Sequence, residues 1–239
     1  MQSMLLAEWI ASFRGPSEWF WNLSDGGHFE VTGVYELLRR RVPFIVVTDA
    51  GEDPKYRWGN VALLIQEARE DFRAEIKWID FKKARKAEKK RRAALTDQER
   101  QREDSAEAAR EEKDKIAQSW RRIFRALPDD LKALNENTWI QNWIHPDSLG
   151  ALEDISDRDS PYHAALASVI YDGKTTPDSW ILLLKPSLSK ELSEDIVNYG
   201  KEHPDFPQQS TFDQVFDDIQ WESYRALGEQ IGCKVIQPA

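Results

Sequence analysis

Pro43 is followed by an uninterrupted apolar run, Phe44-Ile45-Val46-Val47-Thr48, and then by Asp49-Ala50-Gly51. A run of that kind is buried on both faces, the habit of strands in parallel sheets. The segments around it carry two other periods. Val31, Val34, Tyr35 and Leu38 recur at helical spacing, as do Val61, Leu64, Ile65, Ala68 and Phe72. Ala74 to Phe81 alternates apolar and charged residues, and Trp19 to Asp25 is an aromatic-rich strand pattern. Strand, helix, strand, helix, strand predicts a right-handed βαβαβ unit with a mostly parallel sheet.

From Lys82 the character changes. Lys82, Lys83, Arg85, Lys86, Lys89, Lys90, Arg91 and Arg92 form a basic block with Glu88 as its only acid, and mixed charges with alanine follow to Lys115. The pattern predicts a solvated, largely helical insertion over 82–158. Within it, Ile116, Trp120, Ile123, Phe124 and Leu127 mark an amphipathic helix, and Trp139-Ile140 with Trp143-Ile144 gives another apolar face. Residues 159–239 then rejoin the α/β domain begun by 1–81. Ala164–Tyr171 and Ser179–Lys185 read as a strand pair, with Asp172-Gly173 opening a hairpin turn. A helix over about 190–203 ends at Pro204. Ser210 with Asp213 reads as the capping box of a long final helix marked by Phe212, Val215, Phe216, Ile219, Leu227 and Ile231.

Composition narrows function more than it names it. The net charge of −9 gives no general reason to expect nucleic acid as a partner. A single cysteine, Cys233, excludes a disulfide framework within the chain and suits a cytoplasmic, reducing setting. Its place near a helix end predicts a buried, inert thiol. No stretch reaches the roughly 18–20 apolar residues that span a bilayer. Met4–Phe13 is short, apolar and amphipathic, suited to packing or to a peripheral membrane contact. His145 and His163 stand apart from other ligand types, so no metal or cofactor is expected.

The chemistry-bearing motif is Ser24-Asp25-Gly26-Gly27-His28-Phe29-Glu30, a carboxylate and two glycines between a strand pattern and a helix pattern. Such a turn sets Asp25 at the lip of a sheet, where open α/β proteins keep their ligands. Gly26 and Gly27 let the backbone turn tightly and let a substrate approach. Together with Gly33-Val34-Tyr35-Glu36-Leu37-Leu38-Arg39-Arg40-Arg41, the motif closely resembles the Asp-Gly-Gly segment of bacterial patatin-like phospholipases. A second block is similar to the same family: Ser179–Ser187, Val197–Tyr199, His203–Pro207, Ser210–Phe216 and Glu222–Gly228. The resemblance spans roughly 5–80 and 160–233, on either side of the charged insertion.

The resemblance implies a partial three-layer α/β fold and a Ser-Asp acyl hydrolase in which Asp25 is the base. Gly26, Gly27 and His28 would shape the site, and the substrate would be a lipid or other ester. The family's nucleophile lies in a Gly-x-Ser-x-Gly elbow that this sequence does not contain; Gly15-Pro16-Ser17 is the nearest approach. Val31 also stands where the family usually has Asn. The chain is therefore expected to be the Asp-bearing C-terminal half, inactive without the nucleophile segment. A non-catalytic protein-interaction module on a degenerate scaffold is the alternative. His28 as a second base and Asp49 as a second carboxylate are further candidates, as is Arg39-Arg40-Arg41 for phosphate or a lipid head group, though a solvated helix end is its plainer reading.

Overall fold

The computed structural model describes residues 27, 29–108, 112–126, 133–134, 136–157, 160–189, 191–210, 212 and 215–236. The expected strand at 19–25 and the apolar segment 4–13 lie outside them. Residues 1–31 form one compact unit and Thr32–Ala239 another. The sheet and the helices that cover it belong to the second unit.

The elements run in the order α1 (Val34–Arg39), β1 (Phe44–Thr48), α2 (Gly59–Phe72), β2 (Ala74–Trp78), α3 (Phe81–Ala93), α4 (Asp97–Ala108) and α5 (Glu112–Ala126). Then come α6 (Thr138–Trp143), the one-turn α7 (Leu152–Ile155), β3 (Ala164–Tyr171), β4 (Ser179–Leu184), α8 (Glu194–Glu202) and α9 (Asp218–Val235). Among the described residues, the strands of the sequence reading and most of its helices are thus present in kind, though the last helix starts at Asp218 and leaves Phe212, Val215 and Phe216 outside it. The sheet is not mostly parallel. Its order is β1-β4-β3-β2; β1 pairs with β4 in parallel, whereas β4–β3 and β3–β2 are antiparallel. β1 and β2 do point the same way, as a βαβ crossover requires. The β3–β4 hairpin has been inserted between them, so each meets a hairpin strand instead of the other.

Burial follows from that order. β3 and β4 are buried at every position, as central strands flanked on both faces must be. β1 and β2, the outer strands among the described residues, alternate buried and open positions. On one face Ile45, Val47, Ile181 and Leu183 pack with Val34 and Leu38 of α1 and Val61, Leu64 and Ala68 of α2. On the other, Leu166, Trp180, Leu182 and Leu184 meet Phe81 of α3, Trp120 of α5, Ile196 of α8 and Leu227 of α9. Each such Leu or Ile contributes about 1.5–3 kcal/mol by leaving water.

The insertion is helical, as its composition predicts, but its basic block is only partly solvated. Arg85 donates to the carbonyls of Pro146 (2.6 Å) and Leu149 (2.7 Å) while lying over the Tyr162 ring. Arg91 bridges buried Glu88 and Glu103 of α4, Arg92 meets Asp104, and Lys82 reaches Asp154. Two further expectations fail. Helix α9 begins at Asp218, capped by Asp217, which accepts from Gln220 N at 2.7 Å; Ser210 does not cap it. Asp217 stands one residue before the first turn, where its short carboxylate meets the free N–H groups directly. Cys233 is exposed, because Leu227, Ile231 and Val235 take the buried face of α9.

Candidate functional site at the carboxyl ends of β1 and β4

Of the four residues singled out by the sequence, Asp25, Gly26 and His28 lie outside the described residues, and Gly27 is exposed. Two described carboxylates directly follow strands, Asp49 after β1 and Asp172 after β3, and a buried polar site is built around Asp49.

Asp49 directly follows β1. Its N–H donates to Leu184 O at 2.9 Å, continuing the parallel ladder one step beyond the strand. The side chain is then turned inward: Oδ1 accepts from Gly51 N at 3.1 Å, an Asx turn, and Oδ2 lies 3.3 Å from Lys185 Nζ. A Cβ at Gly51 would stand 3.2 Å from Asp49 Oδ1, a tight approach that the carboxylate would have to ease by shifting slightly.

Lys185 follows β4 and is fully buried. Its ammonium donates to Asp49 O (3.3 Å) and Gly51 O (3.1 Å) and sits 5.9 Å from the centre of the Trp58 ring. A buried cation is tolerated only when it is paired and hydrogen-bonded. Here one carboxylate and two carbonyls supply three acceptors for three N–H donors. The run Trp180–Leu184 explains the depth: a lysine at the end of an all-buried strand has no path to water except the loop that closes over it.

That loop, residues 49–58, carries unusual backbone. Tyr56 and Trp58 adopt φ of 45° and 58°, the left-handed region that costs a bulky residue on the order of 1 kcal/mol or more. Asp53 holds them there, its carboxylate accepting from Arg57 N (2.9 Å) and Trp58 N (2.8 Å) at the mouth of α2. Asp53 N donates to Gln208 Oε1 at 3.1 Å, and Gln208 Nε2 and the Tyr56 hydroxyl both donate to Pro186 O, at 2.9 and 3.3 Å. The loop after β1 and the segment after β4 are therefore tied to each other and to residue 208.

Behind them lies His163, fully buried. Its Nδ1 is 3.1 Å from Ser187 Oγ and its Nε2 3.2 Å from Ser189 Oγ, so both ring nitrogens are engaged. Burial lowers its pKa to about 4, helped by Lys234 and opposed by Glu191, which leaves it neutral at pH 7. Both serines are buried too. A substrate does not reach this Ser–His–Ser cluster; it fixes the course of the chain beyond β4.

What the arrangement does chemically is hold a strand-exit loop. Both carboxylate oxygens of Asp49 are engaged, and in this arrangement they position the loop. Sequence reading noted Asp49 and missed Lys185 and Gln208. The available signal was a lysine closing an apolar run on one strand, opposite an acid closing an apolar run on another. Among the described residues, no group of three or more His, Cys, Asp or Glu side chains could hold a metal ion. No helix among them is long and apolar enough to cross a membrane. No family model, curated protein or solved structure matches this chain.

Proposed function

We propose that the chain is the Asp-bearing part of a patatin-like serine acyl hydrolase acting on lipid or other esters in the cytoplasm, with Asp25 as the base. One observation carries this reading beyond the motif. The two blocks that resemble the family, 5–80 and 160–233, contribute two strands each to one sheet, and the strands of the second lie between those of the first. Segments that interleave in one sheet belong to one folding unit, whereas the charged insertion, among its described residues, adds helices and no strand to that sheet.

In this reading Asp25 takes the proton of a serine on a Gly-x-Ser-x-Gly segment. The serine Oγ attacks the ester carbonyl, and backbone N–H groups of that segment meet the developing oxyanion. Esterase assays on the chain mixed or co-expressed with such a segment test it. Ester hydrolysis should appear and should be lost in Asp25→Asn; no hydrolysis, or an unaffected variant, sinks the reading.

A second reading, a non-catalytic interaction module, is favoured by one feature. Phe212, Val215, Ile219 and Trp221 are 98%, 85%, 68% and 65% exposed, more apolar surface in one stretch than isolated residues explain. Asp25-dependent esterase activity would exclude it.

A further inference from the structure

At the opposite end of the sheet from Asp49, a cleft of about 280 Å³ is lined by Arg39, Arg41, Asp71, Arg73, Tyr171 and Asp172, among others. Three connections meet there: the exit of α1, the joint between α2 and β2, and the turn after β3. We propose that this cleft is a binding site for a phosphate group, either on a lipid head group or on a soluble phosphate ester.

Three observations carry the inference. The first is charge. Three arginines face two aspartates, a lining with one positive charge in excess: Asp172 is paired with Arg41 Nη2 (2.8 Å), and Asp71 accepts from the Tyr35 hydroxyl (2.8 Å). The second is free donors. Arg73 makes no side-chain hydrogen bond or ion pair among the described residues, and Arg41 gives a single hydrogen bond, to Asp172, out of the five donors of a guanidinium. Arg39, by contrast, is committed to Glu36 through two bonds of 2.6 and 2.7 Å. Arg41 is also held in place, stacked 4.6 Å over the ring of Tyr171, whose hydroxyl donates to Leu38 O. A fixed planar fork is what phosphate recognition uses.

The third is backbone. Arg41, Arg73 and Asp172 all have positive φ, at 52°, 50° and 55°. These are chain reversals where glycine or asparagine is the low-cost residue. Two of the three carry arginine instead, and left-handed non-glycine residues concentrate at ligand sites. The site is independent of the acyl-hydrolase reading, which rests on Asp25.

Calorimetric titration of inorganic phosphate into the full chain, at ionic strength matched with chloride, decides it. Saturable binding is expected, weakened about tenfold or more in Arg73→Gln, partly restored in Arg73→Lys, and unchanged in Arg225→Gln on α9. Flotation with phosphatidylcholine vesicles, with and without phosphatidic acid, separates the sources. Binding to the phosphatidic acid vesicles that Arg73→Gln abolishes assigns a head group; phosphate binding without flotation assigns a soluble ester. Absence of saturable phosphate binding, whatever the vesicles do, overturns the site, as does an Arg73→Gln protein that binds as tightly as the parent.

Discussion

Lys185 Nζ and Asp49 Oδ2 stand 3.3 Å apart with side chains 0% and 5% exposed, so the residue after β4 and the residue after β1 neutralise each other inside the protein. Truncating one member of such a pair strands a charge. Lys185→Met is expected to destabilise the fold by about 3–5 kcal/mol in urea unfolding, and Asp49→Asn by a comparable amount. The double variant should lose clearly less than the sum. Additive losses would mean that the two groups do not depend on each other.

His163 makes stability fall in acid. Its folded-state pKa is about 4, below the ordinary 6.5, so between those values the unfolded chain binds the extra proton. The contribution is complete above about pH 6.5, declines as pH drops, and is gone below about 4, some 3 kcal/mol in all. Urea midpoints followed across that window should fall less steeply in His163→Gln than in the parent. Equal slopes would remove the histidine from the explanation.

Asp53 restrains the strained loop through Arg57 N and Trp58 N. Asp53→Ala should cost about 1–2 kcal/mol, within the range of lost helix caps. Amide exchange at Arg57 and Trp58 should quicken while that of β4 stays slow. Unchanged protection at both amides would show that the loop holds itself.

Phe212 and Trp221 lie on the surface. Replacing both with serine should leave the unfolding free energy within about 0.5 kcal/mol of the parent. It should also reduce self-association seen by light scattering. A large loss of stability would place these side chains in a core.

How much of this was legible beforehand depends on the range of the interaction. The runs Phe44–Thr48 and Trp180–Leu184 announce buried strands because the side chains around a residue in sequence report its faces. The stripe Val61, Leu64 and Ala68 announces α2 for the same reason. Capping was harder. Ser210 with Asp213 and Asp217 alone are both reasonable starts for a helix, and the choice falls to which residue the packing of Leu227 and Ile231 leaves at the first turn.

The sequence by itself determined that this chain makes a layered α/β unit with a charged helical insertion, since period and composition are local properties. Only the tertiary structure decided that the β3–β4 hairpin enters between β1 and β2, that Lys185 finds Asp49, and that Arg41 and Arg73 share a cleft. Those partners are separated by tens to more than a hundred residues, and no local pattern encodes which strand edge meets which. Strand order and charge pairing are set when both faces of β4 are buried at once, a condition that exists only in the assembled core.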